Sequence, residues 1–448
     1  MIDIELLRKN PELFRASIKK RHQEPKLVDD FLSLDKEWRE ATAKSENMRA
    51  LQKKLGKQMI AAPGGASLAQ STGRDEAKKL KEELVALQTT LETLDKKRNE
   101  AALAIPNLLA DDVPEGKDDA ENKTIRTWGE PTKFDFPVLD HMALGTKLGI
   151  IDNERAAKVT AARFTYLKGG AARLQLALMQ FVFTTLTDPK IIKKLAKKAG
   201  VSDKPFTPIF PPVMINPEMY TRMARLSPET KDERYHMAAD NLYLIGSAEH
   251  TLGSMYADEI LDEQQLPIRY IGYSTSFRRE AGAAGKDTHG ILRVHQFDKL
   301  EMESFCTPET STKEQDFFVA IQEYLTQQLG IPYRLVQNCA GDTGTPDARQ
   351  FDIEMWMPGQ NKYRETHSAD LMTDFQARRL ATKYRPTRDT LQPTTHNLQP
   401  RFVHMNDATA FAIGRTIIAI LENFQTKEGT VKVPKVLQKW AGMKEIKS

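Results

Sequence analysis

An α+β fold is predicted for this 448-residue chain: an antiparallel sheet flanked by helices, preceded by an N-terminal antiparallel α-helical coiled-coil hairpin. Three observations predict it. Apolar residues near the N-terminus step by four and three over two long stretches, the 3.5-residue average of a coiled-coil seam. Farther on, short strand-like runs follow one another without a crossover helix, which suits antiparallel pairing. An acidic, Gly- and Pro-containing stretch separates the two patterns, and 448 residues exceed what one compact core ordinarily holds.

The first helical series runs Leu27, Phe31, Leu34, Trp38, Ala41, Ser45, Met48, Gln52, Leu55, Met59, and the second Leu80, Leu84, Leu87, Leu91, Leu94, Arg98, Ala101, Ile105. Between them, Pro63, Gly64, Gly65 and Gly73 stop one helix and permit reversal. The first helix alone should be ~50 Å long. Such a hairpin suits a dimerisation coiled coil or a spacer, but its charge favours another use. From Lys44 to Lys81, nine basic residues face three acids. Lys44, Arg49, Lys53, Lys54, Lys57, Arg74 and Lys78 are therefore candidate contacts to a nucleic-acid backbone, whose binding needs charge more than shape.

Net charge is only +4, so nucleic-acid affinity must come from this local cluster. Two cysteines, Cys306 and Cys339, stand far apart without CxxC or CxxH spacing, which indicates neither a disulfide framework nor a structural zinc site. "MIDIELLRKN" lacks the pattern of a signal peptide, and no apolar run is long enough to span a bilayer. A cytoplasmic protein with no membrane partner is expected. "IPNLLADDVPEGKDDAENK" reads as a linker or exposed loop, which places the domains at 1–112 and 113–448.

In the second domain, "LYLIGSAE", "PIRYIGYSTSF" and "QFDIEMWMP" read as strands, and "AARLQLALMQFVFTTL" and "KEQDFFVAIQEYLTQQLG" as helices. Alternation in "ILRVHQFDKLEMESF" puts Leu292, Val294, Gln296, Asp298, Leu300, Met302 and Ser304 on one face. Arg293, His295, Phe297, Lys299, Glu301 and Glu303 take the other, which is too charged for a core. Gly282, Gly285 and Gly290 make the preceding loop of a β-hairpin conformationally free. No Gly-rich phosphate loop precedes a helix. Instead, "NDATAFAIGRTIIAILENFQ" alternates small and large residues, a floor on which a flat ligand can lie, and places Arg415 at the start of an apolar helix.

The stretches "DHMALGTKLGIID", "RAAKV", "LYLIGSAE", "LPIRYIGYSTSFRREAGAAGKDTHGILRVHQFDKLE", "YRETHSADLMTDFQARR" and "FAIGRTIIAILENFQ", in this order, resemble the seryl-tRNA synthetases of the bacterial type along essentially the whole chain. The resemblance implies a class II aminoacyl-tRNA synthetase fold and a homodimer that activates L-serine with ATP and Mg²⁺. It further implies transfer to serine tRNA, whose long variable arm the hairpin would hold; whether selenocysteine tRNA is also charged stays open. Arg278 would contact the α-phosphate and the carboxylate, Arg415 the γ-phosphate, Glu280 the adenine amino group and Phe297 the adenine face. Arg278 and Arg415 would thus be catalytic. Arg279, Glu365, Thr366, His367 and Ser368 complete the implied ATP site, with Glu365 and Ser368 as metal ligands. Ser247, Ala248, Glu249, Arg278, Glu301 and Thr409 would bind serine, and the loop from Ala281 to Gly290 would meet the tRNA acceptor end.

Some positions depart from the family pattern. Ser247 stands where threonine is usual, Arg279 and His367 where serine is frequent, and Met405-Asn406-Asp407 where "TLN" is typical. Asp407 exchanges an amide for a charge near the serine pocket, and is expected to pair with a nearby base or face solvent. A paralogue with altered amino-acid specificity, or one that loads a carrier protein, is the alternative. His289, His295, His367 and His404 lack the spacing of metal ligands, so hydrogen-bonded or surface roles are expected.

Overall fold

The computed structural model describes residues 1–61, 68–228, 230–281, 290–387 and 399–448, with the backbone alone for 58–61 and 68–74. The chain divides into two compact units, Met1–Leu108 and Leu109–Ser448. The division precedes the expected boundary at Asp112 because residues 109–112 are held by the second unit. Ala110 donates its N–H to the Ala348 carbonyl (2.8 Å), and Asp112 pairs with Arg349 (2.9 Å). The expected linker is likewise packed. Ala340 N–H donates to the Pro114 carbonyl (2.9 Å), and Asn122 bridges the Cys339 N–H (2.8 Å) and Asp342 (2.7 Å).

The first unit contains α1 (Ile4–Lys9), α2 (Pro11–Lys20), α3 (Lys26–Ala61) and α4 (Leu68–Ala104). Helix α4 runs through Gly73, which therefore does not act as a stop; Pro63, Gly64 and Gly65 lie outside the described residues. Asp35 meets Arg98 (2.7 Å) and Arg49 meets Gln88 (3.0 Å), so position rises along α3 as it falls along α4, the antiparallel sense. The predicted seam positions from Leu27 to Leu55 and from Leu80 to Ile105 are all buried or half-buried. Asp35 is buried among them. It accepts from Arg8 (2.7 Å), Arg39 (3.0 Å) and Arg98 (2.7 Å), and Arg98 also lies over the Trp38 ring at 4.6 Å.

In the second unit an eight-stranded sheet is built from β1 (Lys123–Trp128), β2 (Thr207–Ile209), β3 (Ile268–Phe277), β4 (Gln296–Cys306), β5 (Tyr333–Gln337), β6 (Arg349–Met357), β7 (Lys362–Thr373) and β8 (His404–Ala412). The order is β1-β5-β6-β7-β8-β4-β3-β2. Every neighbouring pair is antiparallel except β2 with β3, which is parallel. "LYLIGSAE" contributes only a short strand, Leu242–Leu244, to a separate three-stranded sheet, because Glu249–Leu252 turns into helix.

Helices α6 (Gly169–Thr187), α7 (Ser311–Leu329) and α8 (Ile413–Asn423) pack on this sheet, and α5 (His141–Lys147) packs on α8. Phe181, Phe318, Leu325 and Ile417 share one core with Leu300, Met302, Ala408 and Phe411 of the sheet. Each such fully buried side chain contributes about 1.5–3 kcal/mol. Glu422, near the C-terminal end of α8, is a buried junction. It accepts from the His141 ring Nδ1 (2.9 Å) and backbone N–H (3.2 Å) and from the Gly359 N–H (2.9 Å). The other His141 ring nitrogen accepts from Ile291 N–H (3.4 Å). Gly290 beside it has φ +84°, and a Cβ there would stand 2.0 Å from that nitrogen, so the close approach requires glycine.

Candidate active site

Strands β3 and β4 form the expected hairpin, with Phe277 opposite Gln296. Strand β4 begins at Gln296, so Ile291–His295 are irregular. From Phe297 to Glu303 the predicted alternation holds, yet its charged face is not solvated: Lys299, Glu301 and Glu303 are buried. Water is displaced there by protein groups, which pair most of the charge. The loop at 282–289, with Gly282, Gly285 and His289, lies outside the described residues.

Two β-bulges aim the site. Between β4 and β8, Leu300 faces Phe411 but Glu301 faces Thr409, leaving Ala410 as the extra residue. Between β6 and β7, Ile353 faces His367 but Glu354 faces Glu365, leaving Thr366 extra. An extra residue reverses the face of everything beyond it. Phe411 and His367 consequently point into the helix-side core, their rings 5.4 Å apart, while Thr409 and Glu365 reach the opposite face. The predicted floor of alternating small residues is thereby corrected. Ala408 and Ala410 belong to the core, and Thr409, Ala412 and Gly414 line the cavity.

That cavity holds about 260 Å³. Its walls bring together Glu249, Arg278, Glu280, Phe297, Glu365, Thr366, Ser368, Thr409 and Arg415 of the predicted set. The Arg278 guanidinium lies over the Phe297 ring at 5.3 Å and donates to the Gly246 carbonyl (3.2 Å). His295 Nδ1 sits 3.0 Å from the Arg278 carbonyl. Arg415, in the first turn of α8, donates to the Glu365 carbonyl (2.9 Å) and pairs with its carboxylate (3.2 Å). Desolvation works against ionising Glu365, but Arg415, helped by Arg278 and Lys299, holds the carboxyl below the usual range. Glu280 pairs with Arg293.

Ser247 and Glu301 lie beneath this surface, fully buried and hydrogen-bonded at 2.9 Å. Lys299 pairs with Glu301 and donates to Ser247 Oγ (3.2 Å), and Thr409 Oγ1 stands 3.5 Å from Glu301. Ala248 is buried behind them. Two further predicted residues lie neither in the cavity walls nor in this layer beneath them. His367 is turned into the core, where burial lowers its pKa to about 3. Arg279 instead lines a separate recess with Lys231, Tyr235, His236 and Tyr243.

Asp407 does not face solvent. It is buried and has a base nearby, Arg225 at 3.5 Å, but neither carboxylate oxygen has a hydrogen-bond partner among the described residues. Arg225 also pairs with Glu249 at 2.8 Å. Sequence reasoning missed Arg225, Lys299, Arg293 and Asp370 as parts of this wall. Only Asp407's need for a base pointed toward Arg225.

The descriptions of two domain families match the chain: "Seryl-tRNA synthetase N-terminal domain" over residues 1–109 and "tRNA synthetase class II core domain (G, H, P, S and T)" over residues 232–424. The serine–tRNA ligase of Pseudothermotoga lettingae is 37% identical over 443 residues, covering 99% of each chain. This chain belongs to the seryl-tRNA synthetase family. Among other seryl-tRNA synthetases, that of Acidothermus cellulolyticus is 40% identical over 442 residues, covering 99% of this chain and 98% of its own. The crystal structure of the Pyrococcus horikoshii seryl-tRNA synthetase complexed with ATP superposes with a TM-score of 0.88 at 37% identity, covering 100% of this chain and 99% of that one. The antiparallel sheet described above is thus a class II synthetase core, and the chain carries the family's activity, ATP-dependent ligation of serine to tRNA.

Proposed function

We propose that the 260 Å³ cavity is where serine and ATP react, and that the convergence on it of Arg278, Arg415, an aromatic ring and the Glu249–Thr409 end carries this reading. The serine carboxylate attacks the α-phosphorus of ATP, forming an O–P bond as the bond to pyrophosphate breaks. Charge builds on the phosphoryl oxygens, so fixed cations, rather than a protein nucleophile, lower the barrier. Arg278 holds the α-phosphate and the carboxylate, Arg415 the γ-phosphate, and Phe297 the adenine face, with Glu280 at its amino group.

Serine's hydroxyl and ammonium meet Glu249, Glu301, Ser247 and Thr409. Alanine forgoes the hydroxyl's hydrogen bonds to these groups and is rejected on that ground, whereas threonine is excluded only by space. In the second step a ribose hydroxyl at the tRNA 3′ end takes the seryl group and AMP departs. A magnesium ion suits the donors near Arg415: the half-exposed Glu365 carboxylate and the Ser368 hydroxyl are hard oxygen ligands. When bound, it neutralises phosphate charge.

The exposed Lys44, Arg49, Lys53, Lys54, Lys57 and Lys78 of the hairpin support its use as the seat of the tRNA variable arm; the Arg74 side chain lies outside the described residues. Leu176 and Phe210, both more than half exposed on the second unit, suit a homodimer interface. No helix among the described residues is long and apolar enough to cross a membrane, in keeping with work in the cytoplasm. Amino-acid-dependent ATP–pyrophosphate exchange with serine, threonine, alanine and cysteine tests the reading, followed by charging of serine tRNA and selenocysteine tRNA. Exchange that favours an amino acid other than serine would overturn the pocket assignment.

A further inference from the structure

The amino-acid end of the cavity is backed by more carboxyl groups than serine can use. Across β7, β8 and β4, Asp370 stands opposite Asp407 and Asp407 opposite Glu303, so the three share one register line and one face of the sheet. This row adjoins the line of Ser368, Thr409 and Glu301. All three acids are at least nine-tenths buried, with 6%, 1% and 0% of their surface exposed. Both oxygens of Glu303, both of Asp407 and Oδ1 of Asp370 have no hydrogen-bond partner among the described residues. Orphaned acceptors of this kind carry an uncompensated desolvation penalty, larger when they are charged. Burial, reinforced by the neighbouring acids, pushes the Glu303 and Asp407 carboxyls well above their ordinary range.

One cation stands between this row and the amino-acid end. Arg225 follows the short helix Pro217–Arg222 and is held by its own N–H donating to the Tyr220 carbonyl (3.2 Å). Its guanidinium reaches Glu249 at 2.8 Å and Asp407 at 3.5 Å, and it lines the cavity beside Asp370 and Thr409. The three-carboxylate group Glu249, Glu301 and Asp407 has the spacing for a metal ion, but Arg225 and Lys299 already bring positive charge to it.

We propose that Arg225 is a specificity-determining residue: its guanidinium closes the pocket at serine length and screens the Asp370–Asp407–Glu303 row, which would otherwise accept a second ammonium group. Truncating it converts the pocket into one for short diamino acids. This inference rests on the reading of Glu249, Glu301 and Thr409 as the serine pocket. A charged side chain meeting an unpaired buried partner discriminates far more strongly than added space alone, because a neutral analogue leaves that partner unsatisfied.

The experiment compares the wild type, Arg225→Ala and Arg225→Ala/Asp407→Asn, the last removing one acid together with the cation so that a folded variant is at hand. Thermal unfolding is followed with serine, 2,4-diaminobutyrate and homoserine, the last being diaminobutyrate's neutral counterpart of the same length. Pyrophosphate exchange is measured with the same three. In a folded Arg225 variant, diaminobutyrate should raise the unfolding midpoint, and the ratio of its kcat/KM to that of serine should rise by ~10-fold or more over the wild type. No midpoint shift in either variant, or an equal gain with homoserine, overturns the inference. Absence of serine exchange by the wild type would instead overturn the serine reading, since the midpoint shift is read without ATP.

Discussion

Two buried aspartates, one in each unit, receive opposite treatment. Asp35 in the helical hairpin is desolvated, but hydrogen bonds from Arg8, Arg98 and Arg39 overcome that penalty and lower its pKa to about 2. Asp407 in the sheet is equally enclosed, has one arginine at 3.5 Å and stands among acids, so its carboxyl is pushed up. Burial therefore does not decide the charge of a carboxyl; the count and geometry of its partners do. The hairpin neutralises its buried charge internally, as a structural element should. The sheet leaves charge incompletely matched, and that imbalance is where a ligand can act.

Replacing Arg415 in the cavity wall is the strongest way to separate the two regions. Arg415→Ala should lower serine-dependent pyrophosphate exchange by ~10²–10³-fold, while tRNA binding measured by filter retention stays near wild type. Unchanged exchange would remove Arg415 as the phosphate anchor. The next effect is on stability. Asp35→Asn should cost about 2–3 kcal/mol in denaturant unfolding, because buried Arg98 loses its counter-charge. Asp35 has a depressed folded value, so its contribution is complete above about pH 4 and disappears as pH falls through about 2.

Asp407→Asn should move the other way, by about 1 kcal/mol or less at neutral pH. A raised folded value means that the native state holds its proton longer than the unfolded chain does. Stability is then greatest below the ordinary carboxylate range and declines as pH rises beyond it, and the amide should flatten that decline. A loss of stability as large as that of Asp35→Asn would erase the contrast between the two aspartates. The smallest effect belongs to the exposed hairpin cations: Lys53→Ala/Lys57→Ala should reduce the slope of log affinity for tRNA against log salt by about 2 and leave serine exchange unaltered.

The helical seam and the β3–β4 hairpin were legible because each follows a fixed period. What the periods could not show is where they break. The extra residues Ala410 and Thr366 turn Phe411 and His367 away from the cavity, and a strand read by strict alternation has no means of locating them. Arg98 stands in the apolar series, but its acid partner, Asp35, is close in space and far in sequence, so the pair was not legible. Arg225 carried no local signal, since a loop arginine acquires its meaning only from the strands that fold against it.

Glu422 ties together parts of the chain that sequence keeps apart. Seven residues separate it from Arg415 on α8, about 10 Å of rigid rod. At its own end that rod grips His141, which in turn receives the backbone of Ile291 at the foot of the Ala281–Gly290 loop. Arg415 and the Ile291 backbone are therefore connected through one rigid helix, one carboxylate and one imidazole. One carboxylate thus sets the position of the helix that carries Arg415, of His141 and of the Gly359 backbone at once, so three segments distant in sequence share a single point of attachment.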